Sequence, residues 1–400
     1  MANGGRLRIG VFTDSYLPYV SGVVRSVQSF TKELRELGHE VYIFAPNYPD
    51  AQPEPGLFRF PSLPALTFRE FSLALPIWPG LSAVIRSLGL DIIHSHSPFV
   101  LGSLGARYAH KYSIPLVFTY HTLYDQYVHY FPLAPGLSKV IVEKYTADYC
   151  NRCQLVVVPT RVIKEKILAD GVKVPIKIIP TGIDVKRFAS GDPLWLRQRL
   201  KLGTDRKIVL SVGRLGKEKN VEFLLDAFAL AMKEVPEACL VLVGTGPLEG
   251  LLREQAQRLG IADNMFLMGR LDASEIVHAY AGADVFAIAS LTETQGLVTL
   301  EAKAAGLPVV AVDAFGSREM VNSGEDGFLV PLKKDSFANR LVQLLKHSEL
   351  RKAMGQEAKR RAQDCSARAS ALKLIGAYRE AIERRQGASP SRDQGKVAAG

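Results

Sequence analysis

The stretch Ala289-Ser-Leu-Thr-Glu-Thr-Gln-Gly-Leu-Val-Thr-Leu-Glu-Ala-Lys-Ala-Ala-Gly-Leu-Pro-Val-Val-Ala311 decides how this chain is read. It follows an apolar run, Val285-Phe-Ala-Ile-Ala289, and enters another at Pro308. Short apolar runs between polar loops read as buried strands. Between them the pattern predicts a polar loop over 291–296 and a helix over 297–305, stopped by Gly306 and followed by Pro308. Glycine then proline is ordinary punctuation at a helix end. Open α/β sheets bind ligands beyond a strand's carboxyl end, where a loop leads into a helix. The helix N-terminus there offers unpaired N–H groups and a positive dipole end. Two carboxylates mark the element, Glu293 in the loop and Glu301 on the helix. One reading makes them a helix cap and a solvated helix position. The other has them hold two ends of a sugar nucleotide through its hydroxyls.

Outward from this element the strand–loop–helix unit repeats. Lys207-Ile-Val-Leu-Ser-Val-Gly-Arg214 is a strand whose loop carries Arg214 and Lys219 into a helix over 221–233. Cations and helix N–H groups around such a loop can hold a diphosphate; exposed loop charge is the plainer reading. Leu240-Val-Leu-Val-Gly-Thr-Gly-Pro247 adds a strand and a loop with Gly246, and 264–271 a strand running to Arg270. Residues 327–331 form a short last strand, with helices beyond.

The first half has the same grammar. Leu7-Arg-Ile-Gly-Val-Phe-Thr13, a helix over 23–37 and a strand from Val41 make a β-α-β unit of a parallel sheet. Its loop is not Gly-x-Gly-x-x-Gly, so it is not a dinucleotide fingerprint. Ser21-Gly22 at the helix start can still present backbone N–H groups to a phosphate, or be a plain strand–helix turn. Residues 61–80 mix apolar and aromatic side chains, Trp78 among them, with four prolines and Arg69. That composition suits packing within the first domain, an acceptor channel or a membrane contact. His94 and His96 end a strand at i, i+2 spacing, which allows a metal pair or hydrogen-bonded packing at a cleft edge. His121 ends the strand Pro115-Leu-Val-Phe-Thr-Tyr-His121, again on the ligand side of a parallel sheet. Cys150-Asn-Arg-Cys153 lacks a second pair or a thioredoxin-like setting, so the expectation is two ordinary thiols on one helix face.

Composition bounds the rest. The chain has 400 residues, 47% of them apolar, and a mean hydropathy of +0.06, which suits two globular domains. No apolar run is long enough to span a bilayer, no secretory signal is visible, and four cysteines make no disulfide framework. A cytoplasmic location is the expectation. The formal charge of +10 is uneven: residues 161–207 carry net +7 and 347–400 net +6, while 208–346 carry net −5. Such basic segments attract anionic membrane surfaces, or are solvated faces. No nucleic-acid recognition motif accompanies them.

The run Thr292-Glu-Thr-Gln-Gly-Leu297 with Glu301-Ala-Lys-Ala-Ala-Gly-Leu-Pro-Val-Val310 resembles the donor-site signature of retaining GT-B glycosyltransferases. The resemblance extends from Leu7 to about Arg385. It implies an α/β protein of two facing, doubly wound Rossmann-like domains: residues 1–183 on the acceptor side, a linker over 184–206, and a nucleotide-sugar domain over 207–370. A helix over 371–385 returns to the first domain, and 386–400 is expected to be a disordered tail. The family pattern has Glu293 on the donor sugar, Glu301 on the ribose, and Arg214 and Lys219 clamping the donor diphosphate, with no metal needed. Gly246, Arg270, Thr294, Gln295, Gly296 and Leu297 complete the donor side, and Ser21 and Gly22 approach the diphosphate from across the cleft. His121 lies beside the donor sugar. Glu-Thr-Gln-Gly stands where the family commonly has Glu-x-Phe-Gly. That variant, with Tyr120-His-Thr-Leu-Tyr-Asp-Gln-Tyr-Val-His-Tyr-Phe131, is similar to diacylglycerol glucosyltransferases. It implies UDP-glucose as donor, a lipid acceptor held near Asp125 and Trp78, and a peripheral enzyme on an anionic membrane's inner face. A GDP-mannose-dependent α-mannosyltransferase acting on phosphatidylinositol or a soluble acceptor, and a non-catalytic nucleotide-sugar or membrane-binding adaptor, are the alternatives.

Overall fold

The computed structural model describes residues 5–65, 71–123 and 135–387, with 135–139 by backbone only. The chain forms two compact units. One holds the residues up to Ile179 together with those from Ser370 onward; the other runs from Pro180 to Ala369.

The first unit is built on a seven-stranded parallel sheet. Its order is Leu57–Phe60, Glu40–Pro46, Arg8–Phe12, Ile92–Ser95, Leu116–Thr119, Leu155–Val158, Ile176–Ile178. The central strands are short apolar runs because both faces are covered; Leu116–Thr119 and Leu155–Val158 are buried throughout. The helix Gly22–Glu36 covers one face with Val24, Val27, Phe30 and Leu34. Its start is set by Ser21, whose hydroxyl accepts from the Val24 N–H at 3.3 Å. The sequence order of the strands reverses between Arg8–Phe12 and Ile92–Ser95, which opens a crevice beyond their carboxyl ends.

The C-terminal helix, Ala367–Gly387, closes the first unit. Ala371, Leu374, Ile375, Ala377, Tyr378 and Ala381 are buried in one core with Val11, Ile43, Val117 and Val157. The helix is longer than the expected 371–385. The Ser366 hydroxyl accepts from the Ala369 N–H and caps an earlier start, and Gln386 and Gly387, expected in the tail, are helical. Residues 388–400 lie outside the described residues.

Over 61–80 the strands Ser62–Pro64 and Ser72–Ala74 pair antiparallel. They leave Leu63 at 58%, Leu73 at 48% and Ile77 at 70% exposed. Trp78 instead packs on Phe58 and Phe60, with ring centroids 6.0 and 5.1 Å away.

The second unit holds six parallel strands in the order Met265–Leu267, Ala238–Val243, Lys207–Val212, Val285–Ile288, Val309–Val312, Gly327–Val330. Its reversal lies between Lys207–Val212 and Val285–Ile288. Residues 184–206 are not a free linker. They fold onto this unit as the helices Val185–Phe188 and Trp195–Leu200, because Val185, Phe188 and Leu196 are buried beside Tyr280 and Phe286. The two segments that leave the unit run side by side: Ile183 N–H donates to the Cys365 carbonyl at 3.1 Å and Ala367 N–H to the Ile183 carbonyl at 3.0 Å. A Cβ on Gly182 would sit 2.4 Å from the Ser366 carbonyl oxygen, so the crossing requires glycine.

The helix Leu297–Ala304 carries Lys303 into the core. Its ammonium donates to the Met320 carbonyl and to Asp326, both at 2.7 Å. The Asp326 side chain has no exposed surface. Removing one member of such a pair leaves a buried charge uncompensated. Lys303→Met should therefore cost about 3 kcal/mol in urea unfolding, and Lys303→Met with Asp326→Asn, which removes the stranded charge and keeps an acceptor for the Asn322 N–H, should recover part of it. Lys352→Met, at the exposed Lys352–Glu349 pair, should change stability by less than about 1 kcal/mol.

Candidate active site

The second unit's reversal point brings two loops together. One follows Lys207–Val212 and contains Arg214 and the 3₁₀ turn Lys217–Lys219. The other follows Val285–Ile288 and contains Glu293. The Lys219 ammonium is bonded to Glu293 Oε1 across them, and Arg214 lies 3.9 Å from Glu218. Burial pushes the Glu293 carboxyl up. The Lys219 charge and hydrogen bond, with a bond from Ser290, outweigh burial and hold it below its ordinary value. Glu293 is thus an anion held against a cation, and no helix cap: the N-cap is Gly296, at φ +83°, with no side-chain cap bond.

Glycines allow the backbone to crowd here. A Cβ on Gly246 would lie 2.4 Å from the Leu215 carbonyl oxygen, so the loop after Ala238–Val243 packs directly on the Arg214 loop. Arg270 follows the neighbouring strand Met265–Leu267, so Arg214, Gly246 and Arg270 share one sheet edge. Glu301 is buried, 3% exposed, and accepts from the Tyr280 hydroxyl at 2.8 Å; it is not a solvated helix position. Thr294 and Leu297 are half-buried beside Glu293 and Gly296. Gln295 has partners other than those the family pattern implies. Its amide NH₂ donates to the Thr181 carbonyl and its oxygen accepts from the Thr181 N–H, both at 2.8 Å.

In the first unit, Ser21 and Gly22 sit at the start of Gly22–Glu36, and a Cβ on Gly22 would meet nothing within 4 Å. His94, His96 and His121 cluster beyond the strands Ile92–Ser95 and Leu116–Thr119. His94 binds the Tyr378 hydroxyl through Nδ1 and Thr119 Oγ1 through Nε2, both at 2.7 Å. His96 Nδ1 lies 2.8 Å from His121 Nε2. Burial, with the nearby His121, pushes His94 down to about 3, and burial does the same to His121, so these rings are neutral near pH 7. Each ring nitrogen of His94 has a hydrogen-bond partner, as in the hydrogen-bonded packing reading; among the described residues no group of three or more His, Cys, Asp or Glu is arranged for a metal ion. Cys150 ends the helix Pro135–Cys150 while Cys153 lies in the turn after it, so the two do not share a helix face. Both are buried, and burial raises the Cys150 thiol to about 12. Asp125 lies outside the described residues.

Residues 196–361 match the family model "Glycosyl transferases group 1", and residues 20–187 match "Glycosyltransferase Family 4". An alpha-monoglucosyldiacylglycerol synthase of Streptococcus pneumoniae is 36% identical over 76% of this chain and 71% of its own length. The chain is a GT-B glycosyltransferase. A GDP-mannose-dependent alpha-mannosyltransferase of Corynebacterium glutamicum is 30% identical over 81% of this glycosyltransferase and 76% of its own chain. The crystal structure of Anabaena HepE with UDP and glucose superimposes with a TM-score of 0.75 at 20% identity, covering 92% of this chain and 98% of that one. That likeness establishes the two Rossmann-like units. The relatives make the protein a hexosyltransferase.

Two residues beside the expected site positions escaped the sequence reading: Tyr280 orients Glu301 from another helix, and Lys303 seats the helix Leu297–Ala304. His96 was read as a strand end, but its contact with His121 was not. Tyr280 lies 21 positions from Glu301 and His96 lies 25 from His121, separations that local patterns do not connect. Lys303 stood within the quoted signature, but only its burial shows what it does. The Glu293 pair yields a pH test. A carboxyl depressed on folding contributes stability that is full above the ordinary carboxylate range, about pH 4.3, and is lost as pH falls through the folded value. The stability gap between wild type and Lys219→Met, measured by urea unfolding, should therefore shrink from neutral pH to about pH 3. A constant gap would show that Lys219 does not hold Glu293 ionised.

Proposed function

We propose that this glycosyltransferase moves glucose from UDP-glucose to a diacylglycerol at an anionic membrane surface, with retention at the anomeric carbon and without a metal ion. The observation that carries the reading is the Lys219–Glu293 contact across the second unit's reversal point. It sets a cation for a diphosphate beside a carboxylate for a sugar hydroxyl. Arg214 and Lys219 take the diphosphate and stabilise the charge that grows as it leaves, the task a metal has in other transferases. Glu301, fixed by Tyr280, receives the ribose hydroxyls. Gly246, Gly296 and the backbone around Thr294 and Leu297 give the nucleotide room and N–H donors, Arg270 passes beside the base, and Ser21 and Gly22 supply further N–H groups. His121 shapes the reaction centre.

The sugar–phosphate bond breaks as the acceptor oxygen bonds the anomeric carbon on the same face, and the departing phosphate oxygen takes the acceptor's proton. Asp125 binds the acceptor hydroxyl, with Trp78 on the acceptor side.

The lipid acceptor and glucose are supported by the Streptococcus pneumoniae relative's name and by the segment 120–131. A peripheral place on the inner membrane face is supported by exposed Leu63, Leu73, Leu75 and Ile77 and by the chain's net charge of +10. No helix among the described residues is long and apolar enough to cross a membrane. The mannosyltransferase relative favours GDP-mannose as a second reading.

The test is product formation from UDP-glucose and diacylglycerol in anionic vesicles with EDTA. An α-glucosyl lipid is the expected product. Hydrolysis of UDP-glucose without a lipid product would reject the acceptor, and turnover of GDP-mannose alone would reject the donor. Glu301→Ala should weaken UDP-glucose binding by about tenfold or more. His121→Ala should lower kcat by about tenfold or more with little change in donor affinity; equal losses in both would remove His121 from the reaction centre.

A further inference from the structure

Three imidazoles form a row in the first unit, His94 tilted 39° against His96 and His96 meeting His121 edge to edge in nearly one plane. The His94 and His96 ring centroids are 4.1 Å apart and those of His96 and His121 5.0 Å apart, the latter pair at 17°. The middle ring has the least freedom. The His96 backbone N–H donates to the Phe12 carbonyl at 2.9 Å, the side chain is 1% exposed, and His94 walls off one face. His94 cannot shift to make room, because Tyr378 on the C-terminal helix and Thr119 hold both its nitrogens.

We infer that His96 is a positioning residue for His121, and that their Nδ1···Nε2 contact fixes which ring nitrogen of His121 carries its proton. A neutral imidazole has one N–H and one acceptor nitrogen. At 2.8 Å one ring donates and the other accepts. If His96 donates from Nδ1, His121 accepts at Nε2 and carries its own proton on Nδ1. If His121 donates from Nε2, its Nδ1 is an acceptor. The two rings change tautomer together or not at all. The state of His96 is therefore coupled to whether the Nδ1 edge of His121 offers a hydrogen or a lone pair, and the nearly coplanar contact of the two rings holds the plane of that edge. The kinetic part of this inference rests on His121 lying at the reaction centre; the tautomer part does not.

The wild-type protein provides the first measurement, on the full chain labelled with ¹⁵N-histidine at neutral pH. A single His121 tautomer is expected, together with a ¹⁵N–¹⁵N scalar coupling between His96 Nδ1 and His121 Nε2 across the hydrogen bond. Absence of that coupling, or a mixture of His121 tautomers, overturns the proposal. Three variants follow, each checked by thermal unfolding. His96→Asn places an amide where Nδ1 stood, His96→Gln places one near the Nε2 position, and His96→Ala places none. The Ala and Gln variants should lose the single His121 tautomer and about tenfold in kcat, with donor KM within about twofold of wild type. The Asn variant should restore most of both. Equal rescue by Gln and Asn, or a wild-type His121 spectrum in the Ala variant, overturns the assignment. A changed spectrum with unchanged kcat keeps the tautomer coupling and removes His121 from the reaction centre.

Discussion

A cation and a carboxylate from two different loops meet at the reversal point of the second sheet, and the rest of that unit sets where they meet. Lys219 and Glu293 are 74 positions apart. They are neighbours because the strands before them are: Val209 stands opposite Val285 and Leu210 opposite Phe286. A one-residue slip in that pairing would turn the strands' side chains to opposite faces and carry the two loops apart. The pair also fixes charge. Without the ammonium, burial alone would favour a neutral Glu293. Sheet register thus passes directly into the protonation state of a site residue.

Around this contact the helix Leu297–Ala304 and its loop are held by buried polar groups. Lys303 anchors it from below through Asp326. Tyr280 fixes the Glu301 carboxylate from the neighbouring helix. Gln295 ties the loop to Thr181 by two hydrogen bonds. Each is a buried polar group with its partners in place, the condition under which such groups rigidify a site instead of weakening it.

Most of the second unit was legible in the sequence, because parallel strands buried on both faces are written as short apolar runs and their loops as glycine and charge. The loop over 291–296 and the helix after it follow that rule. The linker over 184–206 misled because its apolar residues are few and widely spaced; Val185, Phe188 and Leu196 become core only once Tyr280 and Phe286 arrive from far along the chain. The histidine cluster was legible as three separate strand ends and not as one row. Its geometry depends on Tyr378, which lies 284 positions from His94. The hairpin over 61–80 was hidden by its prolines, which fit an edge pair of strands as well as a loop.

The C-terminal helix has a consequence for the order in which the molecule is made. The first unit's sheet leaves the ribosome early, but one of its faces shares its covering between the helix Gly22–Glu36 and Ala371, Leu374, Ile375 and Tyr378, and the latter four emerge after the whole second unit. A nascent chain therefore carries a partly covered apolar face while the second unit is made, and that unit, contiguous from Pro180 to Ala369, has all its parts in hand first. The half of the protein that begins translation is the half whose core is completed last, and the interval between is when a chaperone has most to protect.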